Sequence, residues 1–321
     1  MLDSTVRPYL LHGRRIMVRE TADWYCQAKY RRFGLGLRVL RQLKMYPEPV
    51  LVVGGSEMTR QILPRLGWDA LPEVRSYVLP VTARGLAANL LRQKWPAREP
   101  LARLINRRLP LRVPGRVPPP PGRSDVQVLS REQWCDAPAD GSGALVGLLE
   151  REHWAWLAAM PIEFAQPFCL VFSLDGAVVG LALAQLEPSA TGHDGRIVHL
   201  QSANSDPALL AWIVSVAAQA LVQRGAGFIR CFVSTPQKFA AVESVGFMFS
   251  QQVPCHWWNR PGVAVPDRID IDYLRGDDAQ PLGAMRGRKL GRAVPGDRPG
   301  HRPRGVAAAG VMPATARSGK A

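Results

Sequence analysis

Arg31, Gly34 and Gly36, in the run YRRFGLGLRVLRQL from Tyr30 to Leu43, have the types and spacing suited to holding a phosphate. The first backbone N–H groups of a helix have no partner within it and point outward as a ready anion site, and glycines there let a phosphate come close. Arg31 and Arg32 add positive charge at the entrance. The candidate ligand-binding residues are therefore Arg31, Arg32, Phe33, Gly34, Leu35, Gly36 and Leu37. A second glycine pair, Gly54-Gly55, follows the apolar run Val50 to Val53 and opens onto Glu57. Glu57 is the candidate base, although a first-turn glutamate also complements a helix dipole. No full G-x-G-x-x-G follows Val50, so a dinucleotide site is a poorer reading of this pair.

Other chemistries find less support. The five cysteines, Cys26, Cys135, Cys169, Cys231 and Cys255, are widely spaced with no CxxC pair, and read as reduced core thiols. The histidines are equally dispersed, and no metal site is expected. The longest nearly apolar stretch, Leu209 to Val222, falls short of the ~20 residues needed to span a bilayer. No membrane span is expected, and the start lacks the apolar segment of a secretory signal, so the expected compartment is the cytoplasm.

The formal charge is +15, unevenly spread: +6 over residues 1–80, +9 over 81–123, −8 over 124–282 and +8 over 283–321. Most of the excess lies in a connector and a tail rather than on a folded face, and 35 of the 41 basic residues are arginine. A nucleic-acid partner is not expected.

Those charge steps coincide with breaks in the pattern. Val113 to Arg123, VPGRVPPPPGR, is an extended, stiff connector between two folded parts. From Gly283 onward few large apolar residues remain, and a basic disordered tail is expected. The division is a first part over 1–80, a basic helical segment and linker over 81–123, a second part over 124–282, and the tail over 283–321. In the first part the pattern predicts a strand at 23–27, a helix from about 34 to 45 with Leu37, Leu40 and Leu43 inward and Val39 widening the stripe, a strand at 50–53, a helix from Ser56, and a strand at 74–80. In the second it predicts strands near 126–129, a helix 144–159, a hairpin at Asp175-Gly176, a turn at 192–195, a strand 197–201, a helix 207–223, a strand 228–233, a helix 235–245, and strands near 247–258 and 269–273.

Arg31-x-x-Gly34-x-Gly36 between a strand and a helix, with this element order, resembles the GCN5-related N-acetyltransferase superfamily, whose Q/R-x-x-G-x-G/A signature binds the pyrophosphate of acetyl-coenzyme A. The helix endings Leu66-Gly67-Trp68 and Val245-Gly246-Phe247 are similar to the family's x-Gly-Phe ending, one in each part. The resemblance implies an α+β fold of three-layer type, with mixed, mostly antiparallel sheets flanked by helices, in tandem. It implies an acyl-coenzyme A N-acyltransferase acting on an amine, with acetyl-coenzyme A as co-substrate.

Both copies depart from the family pattern. The first has the loop but only about twenty residues ahead of its strand, so half a cleft is missing: either the start is truncated, the second part or another chain completes the fold, or this copy is a remnant. The second reads SANSDPALLAW from Ser202, with no Gly-x-Gly and with Asp206 as a helix cap. The family's proton-donating tyrosine is replaced by Leu63 in one copy and Val242 in the other. Acceptor-side residues in the second copy would be Glu152, His153, Glu163 and Tyr273, although His153, among Trp154 and Trp156, also reads as packing, and Trp257-Trp258 as core. A non-catalytic coenzyme-binding or scaffold protein is the alternative.

Overall fold

The computed structural model describes residues 2–22, 30, 32–55, 57–87, 111–130, 132–136, 145–161, 163–189, 192–259 and 263–272. The strand expected at 23–27, Arg31, Tyr273 and the tail expected to be disordered lie outside them.

The chain begins with a hairpin, β1 (Asp3–Leu11) against β2 (Arg14–Ala22), where the sequence pattern predicts no element. His12 and Gly13 both take positive φ, 49° and 72°. A two-residue connection of that kind follows the natural twist of the paired strands. Then come α1 (Leu35–Leu43), β3 (Val50–Val53), α2 (Glu57–Arg65) and β4 (Asp69–Pro80). β5 (Ser124–Leu129) and β6 (Leu145–Gly147) precede α3 (Arg151–Ala158). The three-stranded run β7 (Gln166–Leu174), β8 (Ala177–Ser189) and β9 (Gly192–Ser202) comes next. α4 (Pro207–Gln223), β10 (Ala226–Val233), α5 (Pro236–Ser244), β11 (Met248–Trp258) and β12 (Ile269–Asp270) complete the order.

Two expectations are corrected. The single helix 144–159 is a short strand followed by a shorter helix, because Leu145 and Val146 pair with Leu11 and Leu10 of β1. Gly192 to Gly195 lie inside β9 rather than forming a turn. The Asp175-Gly176 hairpin is present, with both residues at positive φ.

The twelve strands of the described residues form one sheet, in the order β12-β6-β1-β2-β3-β11-β4-β10-β9-β8-β7-β5. A strand-helix-strand-helix-strand unit occurs twice, as β2-α1-β3-α2-β4 and as β9-α4-β10-α5-β11. In each the first two strands are parallel neighbours. The third strand crosses over: β11 lies between β3 and β4, and β4 lies between β11 and β10, all antiparallel. Each unit thus lends its last strand to the other.

Helices cover the sheet where apolar side chains alternate onto its faces. α1 and α2 bring Leu40, Leu43 and Leu63 onto Val50 and Val52, closed by Trp68. Leu37 is only half-buried, and Val39, expected to widen that stripe, faces solvent. α4, apolar almost all round, is buried along most of its length against Phe172, Ile197 and Ile229, as expected for a helix interior to a domain. On the opposite face α3 sets Trp154 and Leu157 against Leu181, Leu183 and Val198. Ile269 and Ile271 join Tyr9, Val18, Leu51 and Trp257 in a core that both units share.

The proline-rich connector is extended and strapped to the second unit. Gly115 N–H donates to Val245 O at 2.8 Å, and Ser215 Oγ of α4 donates to Gly115 O at 2.7 Å. Before it, the backbone at Gly85 passes so close to β10 that a Cβ there would lie 2.1 Å from Gly227 O.

Candidate active site

Three of the candidate loop residues, Leu35 to Leu37, form the first turn of α1; Arg32, Phe33 and Gly34 precede it. Gly34 is the N-cap residue, at φ 65° and ψ 18°, and its carbonyl accepts Arg38 N–H at 3.0 Å. No side chain caps this end, and no acidic residue lies in its first turn. The dipole of this helix end favours a negative group there. Phe33 is 56% exposed beneath the Arg32 guanidinium, 4.7 Å from the ring centroid. The equivalent end of α4 differs. Asp206 closes it, its carboxylate accepting Ala208 N–H at 3.0 Å, and Thr235 caps α5 in the same manner.

Glu57 stands in the first turn of α2, exposed, accepting Gln61 Nε2 at 3.1 Å and 3.9 Å from Arg60. Its partners are on its own helix, so the structure gives it the dipole-complementing placement. Leu63 and Val242 are fully buried and apolar. Glu152 and Glu163 are exposed. Trp257 is core, while Trp258 packs against Trp68 and under Lys44.

A buried polar cluster where the two units meet carries no sequence motif. Glu20, near the C-terminal end of β2 and 4% exposed, accepts a hydrogen bond from Tyr9 Oη, with Arg7 Nε 3.5 Å from its other oxygen. Burial and the Glu20 carboxylate push the Tyr9 phenol well above its ordinary value, so it remains a donor. Arg7 Nη1 also lies 2.9 Å from His153 Nε2 of α3. A guanidinium only donates, so the imidazole nitrogen facing it is unprotonated. Desolvation and the Arg7 charge lower His153 to about 3. Beside it, His199 of β9 places Nδ1 2.7 Å from Asp272 Oδ2 and Nε2 3.0 Å from Gln201 Oε1. His153, whose tryptophan neighbours suggest packing, belongs to this cluster.

Arg7, Tyr9, Glu20, Leu148 and Asp272 line a cavity of about 10 Å³, room for about one water. Leu148 also borders a wider opening of about 660 Å³, walled by Arg15 of β2, Trp134, Asp136, Glu150 and Gln201. The two share Leu148 as a wall, and two carboxylates and a neutral phenol line the narrow one. The arrangement suits removal of a proton from a group that reaches Glu20. Among the described residues the thiols play no such part: burial pushes Cys169 and Cys231 up to about 12.

No protein-family model matches the sequence, and no curated protein matches it. Solved structures do match by shape. Saccharomyces cerevisiae N-myristoyltransferase with bound myristoyl-CoA aligns at a TM-score of 0.50 and 10% identity, over 84% of this chain and 70% of that one. A GCN5-related N-acetyltransferase from Anabaena variabilis aligns at 0.48 and 9% identity, over 80% of this chain. This chain spans 58% of that protein's length. Among the described residues no helix is long and apolar enough to cross a membrane. The mixed, mostly antiparallel sheet with its twice-used crossover unit and flanking helices is thus a fold shared with N-myristoyltransferase.

Proposed function

We propose that the protein is a tandem N-acyltransferase that transfers an acyl group, acetyl in the first instance, from acyl-coenzyme A to an amine. The observation that carries this reading is the mouth of α1, the next described helix after β2: a glycine in left-handed conformation, a helix end with no side-chain cap and no acidic residue in its first turn, and Arg32 beside it. The diphosphate would rest at the amides of Leu35 and Leu37, with Arg32 and Phe33 beside it. The fold supports the same reading, since N-myristoyltransferase was solved with myristoyl-CoA on it.

In the transfer the amine nitrogen attacks the thioester carbonyl, the carbon–sulfur bond breaks, and the leaving thiolate takes up a proton. Glu20 receives the proton that the amine loses, directly or through the water-sized cavity it lines. Tyr9 and Arg7 hold its carboxylate in place. Leu63 and Val242 cannot protonate sulfur, so the thiolate leaves as the anion and is protonated by solvent.

Thermal unfolding with and without acetyl-CoA tests the proposal. A ligand held only by the native state stabilises it by about 2.7 kcal/mol at a hundredfold excess over its dissociation constant. The melting temperature should rise for the native chain and stay fixed for Gly34→Val. No rise in the native chain would end the reading.

A further inference from the structure

The outward side of α1 has a composition that neither the core nor the proposed coenzyme place accounts for. From Tyr30 to Pro47 the sequence holds five basic residues and no acidic one. Leu40 and Leu43 turn inward onto Val50 and Val52. Leu35, Val39 and Tyr46 follow one another at helical spacing on the exposed side, with Arg38, Arg41 and Met45 alongside. Met45 and Tyr46 extend the last turn, their N–H groups donating to Gln42 O and Leu43 O at 3.0 and 3.3 Å. At ~1.5 Å per residue this face is about 16 Å long.

Large apolar side chains stand in water here more densely than elsewhere. Of sixteen exposed among the described residues, seven lie between Tyr30 and Met58, and Met45 is 77% exposed. Singly such residues are ordinary, whereas a cluster rimmed by charge marks a contact surface. The arginines are equally uncommitted. Among the described residues the side chains of Arg38 and Arg41 make no hydrogen bond or ion pair, whereas Arg15 and Arg19 of β2 pair with Glu150 and Glu48 at 2.9 and 3.0 Å.

We propose that this face of α1 docks on the surface of an anionic lipid bilayer, with the helix lying in the plane of the interface. The long stems of Arg38 and Arg41 let their guanidinium groups reach phosphate headgroups while Val39, Met45 and Tyr46 sit at the boundary with the acyl chains. Each basic group close to such a surface adds about fivefold to partitioning, and apolar burial adds to that. Two arginines and a few side chains give reversible attachment, not insertion. A nucleic acid would use the arginines but leave the aliphatic side chains in water. An apolar protein groove would cover the aliphatic side chains and strand the arginines without partners. The docking is independent of the acyl-CoA reading, since its residues lie beyond the first turn of the helix.

Sedimentation of the full chain with vesicles tests the docking without any coenzyme present. In about 0.1 M salt, vesicles of phosphatidylcholine with one-third phosphatidylglycerol should carry the protein down, and vesicles of phosphatidylcholine alone should not. Arg38→Glu should weaken binding by about tenfold or more. Arg116→Glu, the same charge change at an exposed position of the connector, should leave it near native. Val39→Ser combined with Met45→Ser changes no charge and should also weaken binding, with the melting temperature kept because both side chains already face water. Equal sedimentation with the two kinds of vesicle, or with neither, would overturn the proposal. So would equal losses in Arg38→Glu and Arg116→Glu, which would reduce the attraction to net charge, or native binding by the serine double variant. Tighter binding to a single-stranded oligonucleotide than to the anionic vesicles, unaffected by the two serines, would make the face a nucleic-acid surface instead.

Discussion

Arg7 Nη1 of the first strand lies 2.9 Å from His153 Nε2 of α3, joining residues 146 positions apart across the junction of the two units. The contact fixes His153 as a neutral acceptor, and its basicity falls to about 3 through burial and the adjacent guanidinium.

A group whose folded-state value is depressed holds fewer protons folded than unfolded between the two values, so acid favours unfolding there. Stability from neutral His153 is fully present above about pH 6.5 and declines as pH falls toward about 3, at up to ~1.4 kcal/mol per pH unit. Equilibrium unfolding measured from pH 7 to 4 should show His153→Gln losing less stability than the native chain over this window. Parallel curves would mean His153 is not held neutral by its surroundings.

Gly85 faces a backbone carbonyl rather than a side chain, with a hypothetical Cβ 2.1 Å from Gly227 O. Neither strand nor turn can yield cheaply, since Val81 and Thr82 donate to the same carbonyl at 3.1 and 3.0 Å. Gly85→Ala should cost about 1–3 kcal/mol, the range for forced overpacking. Chemical denaturation should show a lower midpoint, and an unchanged midpoint would show that the two backbones can move apart freely.

Asp206 is a cap whose side chain satisfies one helix amide. Asp206→Ala should cost about 0.5–2 kcal/mol, and Asp206→Asn much less, because asparagine accepts the same bond. If the two variants melt alike, charge at the helix mouth matters more than the hydrogen bond.

Glu20→Gln keeps the volume and an acceptor for Tyr9 Oη but removes the base. Turnover of acetyl-CoA with a responsive amine, monitored by free thiol release, should fall about 10²–10⁴-fold, while the coenzyme-induced rise in melting temperature persists. Equal loss of both would make Glu20 a structural residue.

The helices of the crossover units and the β7–β8 hairpin are legible in the sequence because their signals are local. Leu40 and Leu43 at helical spacing, Asp175-Gly176 between apolar runs, and Asp206-Pro207 ahead of α4 each involve neighbours in sequence, and each stands where the pattern puts it. The opening hairpin is not, because Pro8 weakens a strand signal and His12-Gly13 lacks the usual asparagine or aspartate of such turns. β6 is hidden for a different reason: Leu145 and Val146 continue the apolar spacing of the following helix, and only pairing with β1 makes them a strand. The polar cluster is the least legible. Arg7, Glu20, His153, His199 and Asp272 carry no shared motif, and topology alone assembles them. One signal is present, a glutamate at an inward position of the strand that leads to the glycine loop.

The exchange of last strands between the units bears on how the polypeptide is made. β3, four residues long, has β11 as one of its two neighbours, and β4 lies between two strands from the later unit. A nascent chain emerging from the ribosome cannot complete the sheet of its first 80 residues until residue 258 has been synthesised, so one edge of β3 and both edges of β4 await later strands through much of translation. Such long-range closure slows folding and leaves edges prone to association. Synthesis of this protein is therefore expected to lean on chaperones more heavily than its size alone would require.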